Sequence, residues 1–451
     1  MKKYKIIVFF AVFASLVFVG CDADDANCAS TNVLPVSGIL SRPEIDAAPL
    51  LAPQAGQVTG EWQAVARGAN DFAFALSAAL LENADNAGTD NFVVSPYSVW
   101  LPLAALMNAT SEEFREEFIK ILAAEVNITD LNHAASRMLF ELTNERHRRR
   151  GAEDGFESNP LHIANAIFVD KSHMLNYGFA QVFADYFRGE VMNLDFSSLD
   201  AVSAVNQWAS NNSDGLINEV VRDFDPETVA AIANAIYFSD QWFRKFNPAE
   251  TEQRVFHAPA GDVYVDFMHR EWRYDNILYF EDERKQSLTL PFATGGGLTI
   301  LLPFDGDASG LLSSMTGEEF DKIHNDSVEA QGRLLLPRFS VKNTLDGLED
   351  ALSAMGMSAL FCETTAPLDG LIDFSFPAWI NQAVQVAMIE VDEEGATAAA
   401  VTVMAMEPTS GPPEPLATFE MICDTPFAFV LHRFTTDGGR QILFTGVINR
   451  P

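Results

Sequence analysis

The chain carries eight histidines, at positions 133, 147, 162, 173, 257, 269, 324 and 432, and four cysteines, at 21, 28, 362 and 423. A zinc site or a nucleophilic centre would draw on such residues, but their spacing serves neither. There is no HExxH, no CxxC and no G-x-S-x-G, so metal-assisted hydrolysis and a serine elbow both lack their geometry. The Gly295-Gly296-Gly297 run lacks the phosphate-loop and dinucleotide patterns and reads as a turn. No cofactor, metal or catalytic constellation is expected, and the chain is not read as an enzyme.

Residues 390–413, EVDEEGATAAAVTVMAMEPTSGPP, point to a different chemistry, that of backbone pairing. From Gly395 to Met406 there is no charge, no proline and no aromatic ring. Alternate residues face the same side of an extended strand. One face would carry Ala396, Ala398, Ala400, Thr402, Met404 and Met406, the other Thr397, Ala399, Val401, Val403 and Ala405. Either face could be buried without desolvating a charge. The flanks read as loop, with Asp392, Glu393 and Glu394 before and Pro408, Gly411, Pro412, Pro413 and Pro415 after. A loop with strand content is a loop able to become a strand, while the plain alternative is an edge strand followed by a surface loop.

The elements that would hold this stretch follow from periodicity. Spacing of three and four predicts helices over 62–81, after Thr110 (where Thr110 and Glu113 have capping-box spacing) and over 131–143. Strand-like runs cover 163–169, 229–238, 298–302, 333–336, 384–391, 427–432 and 441–447. Helices thus dominate the first half and strands the second, without βαβ alternation. That predicts an α+β fold with large, mostly antiparallel sheets, in one domain over 61–451.

At 451 residues and 48% hydrophobic content the chain can bury a large core. Its net charge of −34 argues against nucleic acid as a partner. Lys2, Lys3 and Lys5 precede an apolar run over 6–19 and then Gly20-Cys21, which reads as a signal peptide over 1–20. Cys21 after a small residue resembles a lipobox, so a lipidated, membrane-anchored protein is expected. Phe18, where Leu is usual, keeps ordinary cleavage and secretion as the alternative. Residues 21–60, rich in Asp, Ala, Pro and Ser, read as a flexible tether. With Cys21 lipidated, Cys28, Cys362 and Cys423 form an odd set; a Cys362–Cys423 bridge and unpaired thiols both stay open.

Several ordered segments resemble one family, the serpins. Residues 91–106, NFVVSPYSVWLPLAAL, look like its strand-to-helix segment with the Ser-Pro-x-Ser element; 234–256, NAIYFSDQWFRKFNPAETEQRVF, like its central strand and Trp-containing turn. Residues 337–339, with Met355-Gly356 and Phe361, fit the approach to the mobile region. Residues 390–402 look like the hinge and 426–451 like the C-terminal strands. The resemblance spans about 62–451. It implies helices plus three mostly antiparallel sheets, an insertable reactive loop over about 393–418, a monomer, and suicide-substrate inhibition of serine or cysteine proteases. A non-inhibitory binding or carrier serpin is the alternative.

By that resemblance the hinge is Glu393, Glu394, Gly395, Ala396, Thr397, Ala398, Ala399, Ala400, Val401 and Thr402. The cleaved bond falls at Thr409-Ser410, with Met406-Glu407 and Met404-Ala405 as alternative registers. Thr409 suits an elastase-like protease and Met a chymotrypsin- or subtilisin-like one, while the absence of Arg and Lys in the loop disfavours trypsin-like enzymes. Ser95, Ser98, Asn234, Trp242 and Gln385 are expected where the main sheet opens. Gln385 stands where a His is frequent, and Ser239-Asp240 replaces the usual Lys-Gly before Trp242. Arg146, Arg148, Arg149 and Arg150, with His147 among them, read as a solvated basic loop and, by family order, as a candidate polyanion site.

Overall fold

The computed structural model describes residues 39–41, 43–52, 60–83, 90–123, 126–143, 161–213, 215–345, 348–373, 378–396 and 416–451. The helices are α1 (Gly60–Asn83), α2 (Pro96–Leu106), α3 (Glu112–Ala123), α4 (Ile128–Thr143), α5 (Tyr177–Phe187), α6 (Asp200–Asn211), α7 (Ala308–Ser313), α8 (Gly317–Asn325) and α9 (Leu348–Leu352). The first strands are β1 (Ile39–Ser41), β2 (Phe92–Val94), β3 (Leu161–Asp170), β4 (Gly189–Leu194), β5 (Ala230–Phe238) and β6 (Asp240–Gln241). Next come β7 (Glu252–Ala258), β8 (Gly261–Glu281), β9 (Lys285–Pro291), β10 (Gly297–Pro303), β11 (Val328–Pro337) and β12 (Phe339–Leu345). The last are β13 (Gln382–Val391), β14 (Gly395–Ala396), β15 (Ala417–Ile422), β16 (Phe427–Phe434) and β17 (Arg440–Ile448).

Among the described residues the strands form two hydrogen-bonded networks. The first runs β1-β4-β3-β5-β13-β14-β6, with β12 on the far side of β13. The second runs β15-β11-β8-β9-β10-β16-β17-β2, with β7 on β8. The expected three sheets are joined into two networks because β8, 21 residues long, bonds to β7 at its start, to β11 from Phe267 to Tyr279 and to β9 at its end. The α+β class holds, and pairing is mostly antiparallel; β3–β4, β5–β13 and β11–β15 are parallel.

The helix over 62–81 is found as α1 and that over 131–143 as α4. The capping box expected at Thr110 does not form: the Thr110 hydroxyl donates back to Leu106 O at 2.8 Å, and α3 starts at Glu112. All eleven residues of α2 are buried, so it lies at the centre and has no polar face to reveal its period.

The alternation of β5 and β13 divides the interior. Ala387, Ile389 and Val391 of β13, with Ile236 and Phe238 of β5, face the main core around α2. Val384 and Val386, with Ala231, Ala233 and Ala235, face a second core beneath α6 built on Val205, Trp208 and Phe168. Part of the segment read as a tether is packed on the domain, since β1 pairs with β4 and Ile45 and Leu50 contact the main core. No helix among the described residues is long and apolar enough to cross a membrane.

His324 and His432 meet edge to face at 5.2 Å and share the Thr299 hydroxyl at 3.2 Å each. Burial, with Arg440 nearby, holds His324 down at about 4, and burial beside His324 and Arg440 holds His432 well below the usual imidazole range. Because these imidazoles charge from about pH 6.5 once unfolded, their contribution is present above that value and lost as pH falls toward 4. His324→Gln should therefore flatten the fall in unfolding free energy between pH 6.5 and 4 by roughly 3 kcal/mol. Urea titrations of both proteins across that range check it.

Candidate functional site

The chain leaves β13 at Val391 and turns back within four residues so that β14 lies beside it, Val391 opposite Ala396. Asp392 builds the turn: its Oδ1 accepts Glu394 N at 2.8 Å and Gly395 N at 3.1 Å, while its own N donates to Gly395 O at 3.1 Å. Such Asx geometry is what an aspartate supplies at a tight reversal. On its other side β14 pairs with β6, Gly395 opposite Gln241 and Ala396 opposite Asp240. A Cβ on Gly395 would sit 2.1 Å from Asp240 O, so only glycine lets the two backbones approach.

Trp242 clamps this turn. Its Nε1 donates to Asp392 O at 2.8 Å, its N to Glu394 O at 3.0 Å, and its ring stacks on Phe292 with centroids 5.0 Å apart. Phe246 N donates to Glu393 O at 2.9 Å. The glutamates are then tied to separate elements. Arg338, between β11 and β12, grips Glu393 by Nε at 2.8 Å and Nη2 at 2.7 Å, and Thr251 donates its hydroxyl to the same carboxylate. Lys245 holds Glu394. Burial works against the charge on Glu393, whose side chain is 5% exposed, but the Arg338 and Thr251 bonds prevail and keep its carboxyl below the usual range.

Beneath the hinge, Asp240 is fully buried beside Arg433 at 3.4 Å and accepts the Thr294 hydroxyl. Burial pushes Asp240 up to about 6 despite both partners. The Ser239-Asp240 departure thus places an ion pair in the wall of the hinge slot.

Below the hinge runs a seam. β5 and β13 pair directly over five rungs only, from Gln382–Ala231 to Val386–Ala235. At its head the two sides are joined through β14 instead. A polar belt crosses the paired part. Gln385 Nε2 donates to Ser98 Oγ at 2.6 Å and Ser95 O at 2.8 Å, while its Oε1 accepts Ser95 N at 2.9 Å. Gln385 thus joins Ser95 and Ser98 in one cluster. Ser95 Oγ donates on to Leu443 O at 2.7 Å, joining the belt to β17. Asn234, opposite Gln385, donates Nδ2 to Asn165 Oδ1 at 2.6 Å, but its buried Oδ1 has no partner among the described residues. A cavity of about 20 Å³ adjoins it, lined by Val99, Ile232, Leu352, Val384 and Gln385.

The structure thus brings together Glu393, Glu394, Gly395, Ala396 and Trp242 at the head of the seam, and Ser95, Ser98, Asn234 and Gln385 within it. Thr397, Ala398, Ala399, Ala400, Val401, Thr402, the bait residues 404–410, Cys21, Cys28 and the basic cluster 146–150 lie outside the described residues. Cys362 and Cys423 are free thiols, the first partly exposed and the second buried. Sequence reasoning missed Arg338, Thr251, Lys245 and Arg433. Their partners lie 55 residues or more away, where no local pattern reaches.

A family model described as serpin (serine protease inhibitor) matches residues 67–451. Plasminogen activator inhibitor 1 of Mus musculus is 29% identical over 370 residues, covering 80% of this chain and 87% of its own. The native structure of the thermophilic serpin tengpin superimposes with a TM-score of 0.74 at 24% identity, covering 89% of this chain and 97% of that one. Human thyroxine-binding globulin complexed with thyroxine gives 0.72 at 22% identity, covering 87% of this chain and all of that one.

The grip of Arg338 on Glu393 yields a test. Glu393→Lys sets a cation against Arg338 and should destabilise the native form by roughly 2–4 kcal/mol, since the lost partner is largely buried. Adding Arg338→Glu should recover part of that loss. Denaturant unfolding of the single and double variants decides, and an unchanged midpoint for Glu393→Lys would exclude the pair from holding the hinge.

Proposed function

The chain belongs to the serpin family, and from that premise we propose that it inhibits serine proteases as a suicide substrate, trapping the acyl-enzyme as its cleaved loop enters the eight-stranded sheet. One observation carries the reading: Gly395 and Ala396 already lie as a strand between β13 and β6, at the head of the seam.

The two registers that meet at Ala396 can be continued independently. Six residues on, the β13 register sets Thr402 opposite Gln385 and the β6–β5 direction sets it opposite Asn234. There the Thr402 hydroxyl would meet the unpartnered Asn234 Oδ1. Val401 and Val403 would face the apolar core beneath α6, beside Val384 and Val386. Advance of the loop would replace five parallel rungs by antiparallel ladders on both sides, the more stable arrangement per residue. This is strand addition within one chain.

The same register bears on the cleaved bond. Gln382, the last rung of the seam, falls opposite Ala405. Cleavage at Met404-Ala405 would leave that rung unfilled, whereas Thr409-Ser410 lies beyond it, past Pro408, which cannot join a ladder. We therefore keep Thr409-Ser410 as the bond and an elastase-like enzyme as the favoured target, with Met406-Glu407 as the second register. A signal peptide over residues 1–20 with Cys21 lipidated, or cleaved and secreted, belongs to the same proposal, as does a monomer. The polyanion role of Arg146, Arg148, Arg149 and Arg150 is a subsidiary reading; heparin should then speed inhibition and an Arg148→Ala/Arg149→Ala variant should lose that response.

Incubation with elastase, chymotrypsin, subtilisin and trypsin should give an SDS-stable complex with the first, and the released fragment should begin at Ser410. Cleavage without any complex would favour the binding or carrier alternative. Ala398→Arg should turn the inhibitor into a substrate, raising the stoichiometry of inhibition roughly tenfold, because a guanidinium would have to be desolvated between strands. Thr402→Val should lower the stability of the cleaved form by about 1 kcal/mol and leave the uncleaved form unaltered.

A further inference from the structure

Residues 39–41 and 43–52 precede the family match, which starts at residue 67, yet they are built into the fold. Ile39 pairs with Leu194 and Ser41 with Asn193, so β1 covers the outer edge of the sheet that would take up the loop. Beyond it, four backbone groups are held by side chains. Glu44 O accepts Tyr177 Oη at 2.5 Å, Asp46 O accepts Gln181 Nε2 at 3.3 Å, and Ala48 N donates to Asp185 Oδ1 at 2.7 Å, all on α5. Leu51 N donates to Ser136 Oγ at 3.0 Å, on α4. Ile45 and Leu50 add apolar contact with the main core.

The two helices touch, His133 against Tyr186 with ring centroids 5.8 Å apart, but they are tied to different elements. α5 connects β3 to β4, with only Arg188 between its last residue and β4. α4 is anchored to the body: Glu141 accepts Thr436 N at 3.0 Å and its hydroxyl at 2.6 Å, on the turn between β16 and β17. Asn132 and Asn108 exchange amide bonds at 2.8 and 2.9 Å, tying α4 to the end of α2. Opening the seam for one more strand moves β5, β3 and β4 sideways by about 4.8 Å relative to β13. Residues 39–41 and 43–52 reach from β1, at the outer edge of the strands that would move, to Ser136 on α4, which is tied to α2 and to the β16–β17 turn.

We propose that residues 39–41 and 43–52 act as a strap that keeps the sheet from taking up its own uncleaved loop, and so sets how long the molecule stays ready for a protease. This rests on the insertion reading above. Covering the strand edge would need β1 alone; the four bonds over residues 44–51 serve the restraint.

The test uses the full chain. Ala48→Pro/Leu51→Pro removes both N–H donors, and Ser136→Ala/Tyr177→Phe removes two of the receiving groups. Uncleaved wild type and both variants are held below their melting transition, and the appearance of a heat-resistant, non-inhibitory form is followed by thermal scans. Both variants should convert roughly tenfold faster than wild type. Conversion at the wild-type rate, or a lowered melting point with no heat-resistant product, overturns the strap. In parallel, wild type is cleaved in the loop: failure of the cleaved form to gain heat resistance refutes insertion itself, and the strap with it, whereas a gain there with unchanged conversion in the variants refutes the strap alone.

Discussion

Five rungs between β5 and β13 are the contact on which the rest of this structure turns. They are parallel, in a sheet whose other central pairings, β3–β5 over nine rungs and β12–β13 over seven, are antiparallel. Backbone groups in a sheet interior must be paired, so such a seam persists only while something holds both sides together. Two devices do so. The belt of Gln385, Ser95, Ser98, Asn234 and Asn165 ties the paired part to α2 and β17, and the Trp242 clamp fixes the hinge above it. The belt is not fully satisfied, since Asn234 Oδ1 is buried without a partner. An unmet acceptor raises the energy of the closed arrangement relative to any state that supplies a donor.

The hinge clamp is of the opposite kind. Arg338 meets Glu393 in a forked geometry, and such charge-assisted pairs are the strong ones. Because the carboxylate is nearly enclosed, the pair's value lies more in specifying one path for the turn than in net stability. Asp240 and Arg433 do the same for the other wall, at a visible cost: burial has pushed the Asp240 carboxyl up to about 6. The mouth of the seam is thus held by specific polar contacts, and the region below it by apolar alternation on both faces.

The legible parts of the sequence were those with a period. The helical stripes of α1 and α4 could be read directly, because each buries one face and exposes the other, and the two-residue alternation of 395–406 was legible as a pattern of residue types. Where burial is complete the period vanishes, and α2, with eleven buried residues, was located only through resemblance to a family. β8 escaped for the reverse reason, since much of its length is partly exposed and charged residues sit on both faces. Contacts such as Arg338 to Glu393 join distant parts of the chain and leave no local trace. The packed residues 43–52 are the sharpest case. Their composition is that of a tether, and they are held through backbone N–H and C=O groups, which every residue but proline carries alike.

Side-chain volume explains why the loop's inward face is so small. Under the proposed register Ala398 would lie between Ile389 and Phe238, and Ala400 between Ala387 and Ile236, all facing the main core. These walls are already packed against α2 before any strand enters, and interiors of this density accept an added methylene only by strain. Alanine adds a full backbone ladder while asking for little new volume. Where the walls turn polar, at Asn234 and Gln385, the arriving residue becomes Thr402, whose hydroxyl suits an unmet acceptor. On the outer face, where the second core beneath α6 is apolar, the corresponding residues are Val401 and Val403. A plain surface loop has no reason to match both walls of a seam rung by rung, and under the proposed insertion this agreement is what a strand in waiting requires.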